Sequence, residues 1–144
     1  MKYARLERER RFLLEVLPAL DGARVLRITD RYLDSTRLRL RLVEEDGCDP
    51  VRKLGQKVPT GEGVSVVAHT TLYLDDAEFS RLSELPAREL RKTRRLLADW
   101  AFDEHPSGLL LAETEREVQP WFPFIREVTD EAAFTGGVLA RGAR

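Results

Sequence analysis

Residues 37–42 alternate strictly between arginine and leucine, and this alternation restricts the local structure more than any other feature of the chain. Successive side chains of a β-strand point to opposite faces, so Arg37, Arg39 and Arg41 would share one face and the three leucines the other. An α-helix would mix the two kinds of residue around its axis. The segment therefore predicts a strand with one charged face and one apolar face.

Similar short segments, separated by turn residues, follow one another along most of the chain. This pattern is typical of an antiparallel sheet or barrel. The 144 residues are enough for one domain, 1–144, whose core needs no disulfide or structural metal. The predicted strands cover residues 2–14, 24–33, 36–44, 51–58, 64–74, 88–98, 100–105, 108–118 and 124–128.

A few short helices are expected between these strands. Asp75 is a suitable N-cap for a helix over residues 76–85. A helical turn is predicted near residues 15–20, where two leucines could close one end of a barrel. Another helix is expected to start at Asp130.

Composition and charge exclude several classes of protein. The net charge of −1 argues against general nucleic-acid binding, which needs surplus cations. The first eleven residues are too charged for a signal peptide, and the longest uncharged run, residues 63–74, is too short to span a membrane as a helix. The lone Cys48 offers no disulfide. We expect a cytoplasmic protein that binds no membrane and is a monomer or a homodimer.

The charged residues are segregated by sign from one predicted strand to the next. Cationic rows lie within residues 37–41, 53–57 and 92–94, and anionic rows within 7–9 and 113–117. One interpretation is an ordinary sheet with a solvated, charged face. If the sheet closes instead, the charges converge on an interior that can hold a small ligand. Converging carboxylates then require a cation, and converging arginines and lysines require an anion.

A polyphosphate chain chelated to a divalent metal meets both requirements. Glutamate oxygens suit Mg²⁺ or Mn²⁺, which also bind phosphate oxygens. Guanidinium and ammonium groups can hold the remaining phosphate oxygens.

Seven short segments also occur in an order that resembles a known family. Residues 7–11 read E-R-E-R-R, residues 92–94 read K-T-R, and residues 108–115 read G-L-L-L-A-E-T-E. The other segments are Tyr32-Leu33 followed by Leu38-Arg39-Leu40-Arg41, Lys53-Leu54-Gly55-Gln56-Lys57, Glu127-Val128-Thr129-Asp130 after Trp121, and Leu139-Ala140. Together they resemble the motifs of the CYTH domain proteins, also called triphosphate tunnel metalloenzymes, over most of the chain.

The resemblance implies a mainly β, α+β fold: an eight-stranded antiparallel barrel closed into a tunnel, with Mg²⁺ or Mn²⁺ and a triphosphate inside. Catalysis would involve four glutamates and Lys57. The metal ligands would be Glu7, Glu9, Glu113 and Glu115, with Asp103 as a further candidate. The phosphate-binding residues would be Arg11, Arg39, Arg41, Lys57, Lys92 and Arg94, to which the alternation adds Arg37 and Lys53.

The sequence departs from the family pattern at three places. Arg11 stands where the family has lysine, which keeps the charge but changes the hydrogen-bond geometry. Residues 67–73 contain neither the arginine nor the glutamates frequent in the family's middle strand, which weakens the case for a second metal. The usual D-x-F before G-L is disturbed, and Asp103 is the better candidate for its aspartate.

The function predicted from these residues is metal-dependent hydrolysis of a triphosphate, with inorganic, nucleoside or thiamine triphosphate as the substrate. Two alternatives remain at this point. One is an adenylyl cyclase of the CYTH class. The other is a non-catalytic protein that binds polyphosphate or another phosphorylated anion.

Overall fold

The computed structural model describes residues 2–142 as one antiparallel sheet of ten strands with short helices. The order across the sheet is β1-β6-β5-β4-β3-β7-β8-β9-β2-β10. No helix among these residues has the length and apolar character needed to cross a membrane. In chain order the elements are β1 (Arg5–Arg8), β2 (Arg10–Leu14), β3 (Arg24–Leu33), β4 (Leu38–Glu44), β5 (Val51–Pro59), β6 (Val66–Tyr73), α1 (Asp76–Leu82), β7 (Ala87–Leu97), β8 (Trp100–Glu104), β9 (Leu110–Thr114), β10 (Arg126–Glu127), a 3₁₀ turn (Ala132–Phe134) and α2 (Gly136–Gly142).

The prediction of an eight-stranded closed barrel is wrong in two respects: the sheet has ten strands, and its hydrogen bonds do not close it into a barrel. The first predicted strand divides at Glu9, so that β1 pairs with β6 while β2 pairs with β9. The other edge of β2 carries residues 125–129, where Ile125 and Val128 donate backbone hydrogen bonds to it. Because that edge is occupied, the hydrogen-bond ladder does not close. The chain itself joins the two sides at Glu9, whose N–H donates to Ser65 O at 3.1 Å.

Two predicted helical segments differ in the structure: one does not form, and the other starts later in the chain. No helical turn forms over residues 15–20, because Pro18 has no N–H and disfavours helical geometry in the residue before it. Leu17 and Leu20 pack instead against the apolar cluster around Phe12. The helix expected from Asp130 begins only at the 3₁₀ turn.

The turn before β4 removes one arginine, Arg37, from the predicted row of three on one face of the strand. Thr36 Oγ1 donates to Leu33 O and accepts from the Leu38 N–H, which holds residues 34–37 in a turn. Strand β4 therefore starts at Leu38 rather than at residue 36. Arg37 is exposed, whereas Arg39 and Arg41 lie within the strand.

Helix α1 follows the sequence prediction closely at its start. The Asp75 side chain accepts from the Glu78 N–H, and the Glu78 carboxylate accepts from the Asp75 N–H. This reciprocal capping box satisfies backbone donors that the first turn leaves free.

The apolar core lies on the outer face of the sheet. Side chains of β2, β8 and β9 that point away from Arg11 meet the returning segment 115–129. Phe122 contacts the Trp100 ring edge-to-face at 4.8 Å and the Phe102 ring at 5.0 Å. The cluster consists of Phe12, Leu14, Trp100, Phe102, Ala112 and Phe122. The inner face carries charged residues together with the buried Leu26, Ile28 and Leu90, which pair in register with Arg94, Lys92 and Asp30.

Helix α2 lies against the inner side chain of Tyr32. A Cβ at Gly136 would fall 2.0 Å from Tyr32 Oη, so only glycine permits this approach. Burial, together with the nearby Asp30, raises the pKa of Tyr32 to about 12, and the phenol therefore stays neutral.

We expect Phe102→Ala to destabilise the protein by about 3–5 kcal/mol, because it leaves a cavity in the outer core. Phe124→Ala should cost less, since the Phe124 side chain is partly exposed and can be replaced by water. Urea unfolding of both variants measures the difference. Equal losses would show that the outer cluster is not the main core.

Candidate functional site

Alternate side chains of the strands converge on a space of about 290 Å³, which we call the tunnel cavity. Its lining is polar because charged residues recur at every second position on the inner faces of several strands, as Arg39 and Arg41 do in β4. Its lining consists of Arg5, Glu7, Glu9, Arg11, Tyr32, Arg39, Arg41, Lys53, Lys57, His69, Thr71, Tyr73, Lys92, Arg94, Glu113, Glu115 and Gly136.

Two fully buried aspartates, Asp30 and Asp103, bind cations that line the tunnel cavity. Asp30 accepts two hydrogen bonds from Arg41, at 2.7 and 2.8 Å. Asp103 accepts two from Arg94 at the same distances and lies 3.0 Å from Lys92 Nζ. Burial would raise the pKa of Asp103, but Lys92 and Arg94 hold it well below its ordinary value. Both aspartates therefore remain charged.

Other cations in the cavity lack a close counter-charge. Arg39 is buried, its Nε makes no hydrogen bond to the described residues, and it lies 3.9 Å from Asp30 Oδ1. Burial and the neighbouring Arg41 lower the pKa of Arg39. Burial also lowers the pKa of Lys53, with Arg41 adding to the effect. A guanidinium desolvated without a full partner is stabilised by an incoming anion.

The charges of the described lining residues do not balance. Eight arginine and lysine side chains line the cavity against four glutamates. Asp30 and Asp103 behind the wall raise the number of carboxylates to six. The interior therefore keeps a surplus of positive charge.

Three carboxylates lie together at one side of the cavity: Glu7, Glu9 and Glu115, which we call the acidic cluster. One oxygen from each lies within 4.8 Å of the others. Lys57 Nζ is 4.0 Å from Glu7 Oε2 and 3.9 Å from Glu9 Oε1, and Arg5 donates to Glu115 at 2.9 Å. Oxygen donors at this spacing fit a hard divalent cation such as Mg²⁺ or Mn²⁺.

Glu113, the fourth predicted metal ligand, has other partners. Arg11 Nε donates to it at 2.9 Å, and Arg94 Nη2 lies at 3.6 Å. Burial and Asp103 would raise the pKa of Glu113, but Arg94, Lys92 and Arg11 lower it. Its carboxylate thus binds arginines within the cavity and lies outside the acidic cluster.

The structure brings together most of the residues predicted for the site. The lining includes the four glutamates and the phosphate-binding candidates Arg11, Arg39, Arg41, Lys53, Lys57, Lys92 and Arg94. Arg37 lies outside it, in the turn before β4. Asp103 lies behind the wall and binds Lys92 and Arg94. Glu117, which follows Glu113 and Glu115 in the sequence pattern, is exposed beyond the end of β9.

Sequence analysis missed Asp30 and six of the lining residues: Arg5, Tyr32, His69, Thr71, Tyr73 and Gly136. An aspartate in the middle of β3 was the available signal for Asp30, because this residue type is rare inside strands. His69 Nδ1 lies 2.7 Å from Glu7 Oε1. The alternation in β6 indicates that His69 shares a face with Thr71, but it does not identify Glu7 as the partner.

Comparisons with known proteins bear on the fold that builds this cavity. No family model and no curated protein matches the sequence. Two crystal structures of the protein NE1496 have the same fold, with TM-scores of 0.59 and 0.58 and sequence identities of 24% and 23%. The matches cover 93% of this chain, and 97% and 93% of the two NE1496 chains.

One of these structures is described as a hypothetical protein and the other as an inorganic triphosphatase. The similarity confirms, at the level of the fold, the resemblance found in the sequence motifs.

We expect Asp103→Asn to destabilise the fold by about 3–5 kcal/mol, because it leaves Lys92 and Arg94 buried with less counter-charge. Asp99→Asn is the matched control: its exposed carboxylate is 3.9 Å from Arg116, so the loss should stay within about 0.5 kcal/mol. Denaturant unfolding in phosphate-free buffer measures both. If Asp103→Asn unfolds like the control, the buried ion pairs do not support the wall.

Proposed function

We propose that the protein hydrolyses a small triphosphate in the tunnel cavity with the help of Mg²⁺ or Mn²⁺. The observation that carries the proposal is the surplus of cations lining the cavity, above all the buried Arg39, next to a cluster of three carboxylates. A polyphosphate neutralises the cations, and a divalent metal links its oxygens to the carboxylates. The similarity to NE1496, described as an inorganic triphosphatase, supports the same assignment.

In this proposal Glu7, Glu9 and Glu115 hold the metal, and Glu113 contributes once its arginine partners turn toward phosphate. A bound divalent ion supplies charge neutralisation at phosphate oxygens and a more acidic bound water. Lys57 reaches both Glu7 and Glu9 and is placed to contact a phosphate oxygen beside them. The remaining cations position the chain and stabilise charge that develops during transfer.

Inorganic triphosphate is the substrate that the cavity wall favours. No aliphatic side chain occurs among the described residues that line it. An organic group would therefore gain little from burial there, whereas each phosphate meets several donors. Nucleoside and thiamine triphosphates would have to place their organic part outside the tunnel cavity, for example in the adjoining space that Leu26, Ile28 and Val43 help to line.

One observation favours binding without turnover as the second candidate function. Glu113 is held by Arg11 and Arg94, so one of the four expected metal ligands already has partners. A protein that only binds the anion would show affinity for triphosphate but release no phosphate from it.

We expect Arg39→Ala to weaken the binding of triphosphate by about 10–100-fold, the loss of one charge-assisted hydrogen bond worth about 1.5–3 kcal/mol. Arg37→Ala, two residues away and exposed, should change the affinity little, because its charge is screened by solvent and salt. Isothermal titration of inorganic triphosphate compares the two. Equal small losses would mean that the anion does not enter the cavity.

Glu115→Gln should abolish metal-dependent phosphate release, because it removes a charged oxygen donor without changing the side-chain volume. The loss should exceed the roughly 10–100-fold effect of residues that only support a metal ligand. Glu117→Gln should behave like the unchanged protein. Phosphate release from inorganic triphosphate, ATP and thiamine triphosphate, with Mg²⁺ or Mn²⁺, is the measurement. Full activity of Glu115→Gln would remove it from the metal site.

A further inference from the structure

His69 lies in the tunnel cavity in direct contact with the acidic cluster. Strand β6 places its Cα opposite Arg5 of β1 on one side and Lys57 of β5 on the other. The side chain is largely buried, and its Nδ1 lies 2.7 Å from Glu7 Oε1. Because the partner is a carboxylate, Nδ1 carries the hydrogen and donates it.

The hydrogen bond uses one of the two Glu7 oxygens. The other, Oε2, is the oxygen that lies 4.0 Å from Lys57 Nζ. One oxygen of Glu7 is therefore fixed by His69, while the other, which lies near Lys57, accepts no hydrogen bond from the imidazole.

The other end of the imidazole has weak contacts. Nε2 is 3.4 Å from Thr71 Oγ1. A Cβ at position 55 would lie 3.0 Å from His69 Nε2 and 3.1 Å from Arg39 Nη2, so Gly55 leaves the space in which the ring and this guanidinium lie. The short contact with Glu7 is thus the interaction that fixes the ring.

We propose that His69 is a positioning residue for Glu7, orienting this carboxylate so that its free oxygen joins Glu9 and Glu115 around a divalent cation. The inference rests on the proposed metal-dependent function. A hydrogen-bond partner of this kind raises metal affinity because the ligand need not be reoriented when the ion binds. Strand β6 brings no carboxylate into the lining, and in this proposal it contributes to the site through His69.

Binding of Mn²⁺ to the full chain without triphosphate, followed by electron paramagnetic resonance, tests this role. His69→Ala removes the donor, and we expect it to weaken Mn²⁺ binding by about 10–100-fold. His69→Asn keeps an N–H near the position of Nδ1 and should retain most of the affinity. Thr70→Ala, on the opposite face of β6, is the matched control and should bind Mn²⁺ like the unchanged protein.

A double-mutant cycle with Glu7→Gln adds a readout that a purely structural role would not change. If His69 acts through Glu7, His69→Ala should weaken Mn²⁺ binding no further in the Glu7→Gln protein. Thermal unfolding establishes that each variant is folded.

The outcomes separate the two proposals. Unchanged Mn²⁺ affinity in His69→Ala, equal losses in His69→Asn and His69→Ala, or additive losses with Glu7→Gln would each overturn the role of His69 while leaving the metal site intact. Failure of the unchanged protein to bind Mn²⁺ at millimolar concentration would overturn the metal site, and the role of His69 with it.

Discussion

The charged interior depends on two buried aspartates, Asp30 and Asp103. Each accepts two hydrogen bonds, in a bidentate arrangement, from an arginine on the neighbouring strand, and Asp103 also neutralises Lys92. Without them, Arg41, Arg94 and Lys92 would be desolvated without compensation, which is prohibitive in a low-dielectric interior. With them, these cations are partnered and held in position before any ligand arrives. A site arranged in advance in this way loses less free energy to reorganisation when it binds.

Because the tunnel cavity is polar, the protein has to obtain most of its hydrophobic stabilisation from another part of the fold. Here the returning segment 115–129 supplies it, since Phe122 packs on the outer face of the sheet against Trp100 and Phe102. The same segment occupies the free edge of β2, which is why the ladder stays open at Glu9. The apolar core and the open seam therefore have one structural cause, the path of this segment along β2.

Sequence alone predicted the local features well. Strand β3 has the predicted bounds, 24–33, and Asp75 caps α1 as expected, because both depend on neighbouring residues. Alternation also identified most of the tunnel lining, since the period of a strand decides which side chains share a face. Register between strands is a long-range property. The pairing of Asp30 with Arg41, and of His69 with Glu7, follows from which strands lie side by side, and no local pattern encodes it.

Arg11 shows how one departure from the family motif changes the whole acidic side of the cavity. Its guanidinium donates through Nη2 to Glu9 at 3.0 Å and through Nε to Glu113 at 2.9 Å, so one planar group joins two carboxylates. A lysine ammonium is a compact charge and would not span them with the same fixed geometry. Arg11 therefore ties Glu9 of the acidic cluster to Glu113, which lies outside it, while Arg94 also lies 3.6 Å from Glu113. His69 holds the remaining side of the cluster through Glu7, so the arginine at position 11 and the histidine at position 69 fix different carboxylates of the same cavity.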